Sequence, residues 1–353
     1  MKKIVLFCAM ASAALTCFGF KQKPENDMYF PPVGSSNWET VSMASLGWNE
    51  TAVQPLYDFL KEKNTKAFII LVNGRIAAEK YFNGGGPRKP WYWASAGKTL
   101  TATVFGIAQQ EGYVNIDEKV TTYLGKGWTS VPPDKENLIT CRHLLTMTSG
   151  LADGDNEVTP EKLTYKADAG TRWAYHNAYV KLQDVIAAAT KQSWEEYFNQ
   201  SLKEKIGMTG AWTNLGKHDV FSVYWSNARS MARFGLLALN KGNWNGTQVV
   251  NEAYFTDAVN TSQELNKSYG YLWWLNGKEN FRLPTTQMDF KGPLIPDAPA
   301  DMYAALGKND QKIYVIPSRN MVIIRLGNAA EGKNFAKSGF DNNLWKKIND
   351  VIK

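Results

Sequence analysis

A hydroxyl and an amine one helical turn apart can act as a nucleophile and its base, and Ser95-Ala96-Gly97-Lys98 places that pair at the start of a segment read as a helix from Ser95 to Glu111. Side chains three apart share a helix face, so the Lys98 amine can reach the Ser95 hydroxyl. A serine attacks a carbonyl at neutral pH only with a base in hydrogen-bond range. A lysine serves if burial or nearby positive charge lowers its pKa. The helix start has a second use. The Ser95 backbone N–H has no intrahelical partner there and can donate to a developing oxyanion, an interaction worth about 3 kcal/mol. Ser-x-x-Lys alone is unspecific, because a Ser N-cap followed by a surface lysine has the same letters. Ala96-Gly97-Lys98-Thr99 is also half of a phosphate-binding loop. That loop needs a glycine where this chain has Tyr92, and the bulk of Trp91-Tyr92-Trp93 would keep the backbone from cradling phosphates.

A third group is needed to move the proton. Gly170-Thr171-Arg172-Trp173-Ala174-Tyr175-His176-Asn177 follows a loop and precedes a helical stretch, so the Tyr175 hydroxyl can face a cleft. The same Tyr-x-Asn letters occur at Tyr81 and Tyr197, but the first ends a hairpin strand and the second lies on the apolar stripe of a helix. A phenol close to cations loses its proton more readily, which makes a Tyr175 tyrosinate a plausible base. Trp93 and Trp173 stand within a few residues of these groups and are expected to help line an aromatic substrate pocket.

Other chemistries lack their signatures. There is no Gly-x-Ser-x-Gly elbow and no His-Glu-x-x-His, and His143, His176 and His218 have no metal-ligand spacing. No metal or organic cofactor is expected. Cys141 opens an apolar helical stretch and reads as structural. The net charge of +7 is spread among acidic residues with no basic run interleaved with aromatics, so a nucleic-acid partner is not expected.

Four segments, taken in order, resemble the serine β-lactamase-like family of class C β-lactamases, penicillin-binding DD-peptidases, family VIII esterases and oligoamide hydrolases. They are Ser95-x-x-Lys98, Cys141 to Leu151, Tyr175-x-Asn177 and Ala228 to Gly235. The resemblance runs from about residue 65 to about residue 327. It implies Ser95 as the acylated nucleophile, Lys98 as its partner, Tyr175 as general base and acid, and Asn177 as a donor to the substrate. It also implies a third motif on a strand edge that supplies a second oxyanion N–H. The chain has no Lys-Thr-Gly there. It reads Gly307-Lys308-Asn309-Asp310-Gln311, close to the Gly-x-x-Gly-Gln form of the esterase and amidase branches, with Asp310 where a glycine is usual. The second N–H is therefore expected between Leu306 and Asn309, with Gly307, Lys308 and Asn309 as substrate contacts. The expected activity is acyl-enzyme hydrolysis of an ester or amide. A β-lactamase or D-amino-acid-specific peptidase is the alternative, and a catalytically silent binder of cell-wall fragments is the reading of another class.

The elements around these residues suggest how they are positioned. Asn73-Gly74 between two apolar runs signals a hairpin, and a second hairpin is expected where Ile313 to Pro317 and Met321 to Leu326 flank Ser318-Arg319-Asn320. Strands near both ends with helical periodicity between them predict an α+β fold. One antiparallel sheet, from residues 51–90 and 221–353, would be flanked by helices, with a mainly helical domain at 91–220 inserted. Residues 1–19 read as a signal peptide: Met-Lys-Lys, then an apolar stretch shorter than a bilayer span. An irregular arm follows at 20–50. The expected setting is periplasmic or otherwise extracytoplasmic, with membrane attachment only through a lipid on Cys17. The expected partner is a small ester, amide or cell-wall-derived peptide, and the expected state a monomer.

Overall fold

The computed structural model describes residues 28–155, 157–214, 222–332 and 338–352. The leader with Cys17, and His218, lie outside them. In chain order the elements that matter for the site begin with helix α1 (Val53–Glu62), strands β1 (Thr65–Val72), β2 (Arg75–Tyr81) and β3 (Trp91–Tyr92), and helix α2 (Lys98–Gln110). Helix α3 (Lys181–Thr190), strands β4 (Ala211–Asn214) and β5 (Ser222–Ser226) and helix α4 (Ala228–Leu239) follow. The chain then returns to the sheet with β6 (Trp274–Leu275), β7 (Tyr303–Gly307), β8 (Gln311–Ile316) and β9 (Met321–Gly327), and closes with α5 (Gly339–Ile352).

Six strands form one antiparallel sheet in the order β2-β1-β9-β8-β7-β6. Both ends of the chain contribute to it, as the two hairpins require. Asn73 and Gly74 take φ of 48° and 78°, the paired positive angles of a tight primed turn. β1 and β9 are nearly continuous apolar runs because both faces are covered. On one side α4 packs on β1, β8 and β9; on the other, α1 packs on β1 and against α5. A Cβ at Gly235 would come within 2.5 Å of Val322 Cγ1, so only glycine lets α4 settle this close to the sheet. Two arginines of the same segment hold the chain around it. Arg229 pairs with Glu79 at 2.6 Å, and Arg233 donates to the carbonyls of Pro31, Pro32, Ser35 and Ile206. The Ala228 to Gly235 signature is thus a packing device.

Two points differ from the sequence reading. The 91–220 span, read as mainly helical, also carries strands: β3 and β4 flank β5 in a small separate sheet beside the Ser95 turn. β4 is four residues long and largely exposed, too short to show an alternating pattern. The segment starting at Ser95 opens with a 3-10 turn at Ala94–Gly97 before α2 proper. The last helix begins at Gly339, with Phe340 and Asp341 buried in its first turn. The chain ahead of α1, described from residue 28, is pinned to the sheet through Tyr29 N–H to Asn73 O and Trp38 Nε1–H to Gly74 O.

Candidate active site

Ser95 sits half-buried in the tight turn between β3 and α2. Ala94, just before it, takes φ of 49°, a left-handed angle that an alanine adopts only where its surroundings force it. Trp93 supplies the force. Its backbone N–H donates to Tyr224 O at 2.9 Å and its indole to Ser226 Oγ at 2.8 Å. Trp93 is fully buried. It is therefore the anchor of the Ser95 turn, correcting the expectation that it lines a substrate pocket. Ala96 N–H makes the first bond of the turn, to Trp93 O, which leaves Ser95 N–H ahead of the helical ladder.

Lys98, the first residue of α2, is 3% exposed. Its ammonium donates to Asn177 Oδ1 at 3.1 Å and lies over the rings of Tyr179 and Tyr175, 4.0 and 5.1 Å from their centroids. Burial pushes its pKa down to about 7, from 10.5. A large fraction is therefore neutral at physiological pH.

Tyr175 hydrogen-bonds Ser95, and its ring stacks on Trp274 with Tyr269 at its edge. Burial raises its pKa well above the ordinary phenol value, and the hydrogen bond from Ser95 opposes this only in part. The tyrosinate expected from neighbouring cations is corrected: desolvation outweighs them, and the resting side chain is a phenol. Trp173 is fully buried behind Tyr175, edge-on to Tyr269 and Trp274. It supports the tyrosine rather than facing a ligand, a second correction of the pocket reading.

The loop that delivers Tyr175 and Asn177 is held by the residue between them. His176 Nδ1 accepts from Ala178 N–H at 3.0 Å, capping the 3-10 turn Asn177–Val180, while Nε2 meets Ser149 Oγ at 3.1 Å. A ring that accepts at Nδ1 is neutral with its proton on Nε2, in line with a pKa lowered by burial to about 4. Ser149 belongs to the Cys141 to Leu151 signature, which thereby earns its place near the site. His143 closes a capping box with Thr140, and the buried Cys141 thiol is pushed up to about 12. Cys141 is a packing residue and His143 a helix cap.

The free edge of β7 completes the site. A Cβ at Gly307 would fall 2.3 Å from Trp93 O and 3.0 Å from Ala96 N, so glycine is what lets this strand touch the Ser95 turn. Met302 O accepts from Asn276 N–H on the β6 side of β7. Because backbone groups alternate sides along a strand, the N–H groups of Leu306 and Lys308 point to the same side, now open beyond β6. Lys308 is exposed, whereas Asn309 gives its Nδ2–H to Tyr92 OH at 2.6 Å. Asp310 is fully buried and pairs with Lys312 at 3.3 Å. Ser95, Lys98, Tyr175, Asn177 and Gly307 are thus gathered in one place, from three separate stretches of chain. Sequence reasoning did not single out Tyr179, Ser149 or Tyr92. Spacing could not have pointed to Tyr179, because the chain is extended at His176 and turns into a 3-10 helix only at Asn177.

Comparison with known proteins bears on the family and the fold. A model of the family described as Beta-lactamase matches residues 62–344. "Putative penicillin-binding protein PbpX" of Bacillus subtilis is 28% identical over 180 residues, 45% of this chain and 44% of that protein. The match thus spans less than half of that relative's length. Among solved structures, "Putative 6-aminohexanoate-dimer hydrolase from Bacillus anthracis" superimposes with a TM-score of 0.69 at 20% identity, covering 92% of this chain and 89% of the other. "EstCE1, a hydrolase with promiscuous acyltransferase activity" gives 0.62 at 12% identity, over 87% and 99% of the two chains. These likenesses are to the fold, an antiparallel sheet with flanking helices. The family match covers most of the chain, and on it the protein belongs to the beta-lactamase family, the superfamily of serine β-lactamases and penicillin-binding protein homologues.

Proposed function

We propose that this protein is a serine hydrolase that cleaves ester or amide bonds through an acyl-enzyme on Ser95. The observation that carries the reading is the Tyr175 phenol hydrogen-bonded to Ser95 beside a buried Lys98 amine. The neutral amine accepts the Ser95 proton, directly or through the Tyr175 phenol, as Oγ forms its bond to the substrate carbonyl carbon. The oxyanion is held by Ser95 N–H and an outward N–H of the Leu306–Lys308 edge. Lys98, now an ammonium, returns the proton through Tyr175 to the leaving oxygen or nitrogen as that bond breaks. Water then attacks the acyl carbon and Ser95 is released. Asn177 holds Lys98 and can turn its amide N–H groups toward the substrate.

The third motif favours esterase or amidase activity over β-lactam turnover, because it has no Lys-Thr-Gly cation on the sheet edge. On the leader-like N-terminus we further place the enzyme outside the cytoplasm. The test of substrate class compares p-nitrophenyl butyrate, a short linear amide and nitrocefin on the purified protein. The ester is expected to exceed nitrocefin in kcat/KM by at least about a hundredfold, a difference two or more mismatched contacts can produce. Preferential hydrolysis of nitrocefin would reverse the assignment.

A further inference from the structure

Asn309 and Asp310 both take φ of 61°, two consecutive left-handed residues where the sequence offers no glycine. Such angles persist in side-chain-bearing residues only where surrounding contacts over-determine them. Here the contacts come from below and from the side. Below, the Asp310 carboxylate accepts from Ser338 Oγ at 2.9 Å and Ala330 N–H at 3.0 Å, and pairs with Lys312, which also pairs with Asp341 at 2.8 Å. Arg325, fully buried, donates to the carbonyls of Asn309 and Asp310 at 2.9 and 3.1 Å. Gln311 Nε2 donates to Asn309 O at 2.8 Å. The turn after β7 is thus bound to the sheet by buried charge. From the side, Asn309 Nδ2–H reaches Tyr92 OH at 2.6 Å. Tyr92 lies on β3, which runs directly into Trp93 and the Ser95 turn.

We infer that the Asn309–Tyr92 hydrogen bond is a clip that sets the separation of the two oxyanion donors, with Asn309 as a positioning residue rather than a substrate contact. One donor, Ser95 N–H, is carried by the segment that follows Tyr92; the other is carried by the strand edge that Asn309 terminates. Gly307 against Trp93 O gives the two segments a van der Waals stop. The clip adds the directional bond that keeps them from sliding along each other. The buried network under Asp310 makes the turn a rigid mount for it. This inference rests on the hydrolase reading above and names a residue of that same site.

The test is a double-mutant cycle on Asn309→Gly and Tyr92→Phe in the full chain. Its readouts are the rate of Ser95 labelling by a fluorophosphonate, kcat and KM on p-nitrophenyl butyrate, and Tm. Each single variant is expected to lose about tenfold in labelling rate and kcat, the scale of a small misplacement of catalytic donors, with KM little changed. The double variant is expected to lose no more than either single one, because both remove one bond. Tm of Asn309→Gly should not fall, since glycine relieves the positive φ. Unchanged rates, additive losses, or losses that follow a fall in Tm overturn the clip. Wild type that neither labels nor turns over the ester would overturn the hydrolase reading and the clip with it. Active wild type with an uncoupled cycle overturns the clip alone.

Discussion

Lys98→Met is expected to lose about a thousandfold in kcat/KM while melting at a higher temperature than the wild type. The loss follows from removing the amine that takes the Ser95 proton. The gain follows from burial. Lys98 is 3% exposed and its pKa falls to about 7 from 10.5. The folded chain therefore prefers the neutral amine and the unfolded chain the ammonium. Between about pH 7 and 10.5 the unfolded state binds the extra proton, so this group makes stability rise with pH through that window. Below pH 7 the whole penalty is present. At about 1.4 kcal/mol per pKa unit it amounts to a few kcal/mol. Methionine fills a similar volume with no charge to desolvate, and it gives up only the bond to Asn177 and the ring contacts. Thermal melting at pH 6 should show a rise of at least about 3 °C. A lower Tm, or retained turnover, contradicts the role assigned to the amine.

Tyr175→Phe is the second large effect. The ring keeps its stack on Trp274, so folding is undisturbed, but the hydroxyl that joins Ser95 to the proton path is gone. A loss of about a hundredfold or more in kcat on p-nitrophenyl butyrate is expected, with KM nearly unchanged. The pH profile separates its role from that of Lys98. In the wild type kcat/KM should fall tenfold per pH unit below about 7, where the amine becomes protonated, and stay level through pH 10, because burial holds the Tyr175 phenol protonated. The variant should keep the acid limb. Losing that limb along with the hydroxyl would make tyrosine the titrating base.

Much of this was legible in the letters because it depends on local chemistry. Asn73-Gly74 declares its hairpin, the spacing of Ser95 and Lys98 follows helical geometry, and the apolar runs at both ends announce the sheet. What stayed hidden depends on direction in space. Trp93 and Trp173 are near the nucleophile in sequence, yet both turn inward, one to Ser226 and one to the tyrosine cluster. The tyrosinate expectation counted neighbouring charges but could not weigh desolvation, which needs burial to be known. β4 was missed because its partner residues, Ser222 to Asn214 and onward, are joined by backbone pairing rather than by side-chain pattern. Asp310 was recognisable as a departure from the glycine form; that it belongs to a buried charge network with Lys312, Asp341 and Arg325 was not.

The most direct measurement is intact-mass and peptide-mapping analysis of the protein treated with a fluorophosphonate across pH 5 to 10. One adduct is predicted, on Ser95, forming at a rate that rises with an apparent pKa near 7 and absent from Ser95→Ala. No adduct on folded wild type, or an adduct that persists in Ser95→Ala, would contradict an acyl-enzyme built on this serine and its buried amine.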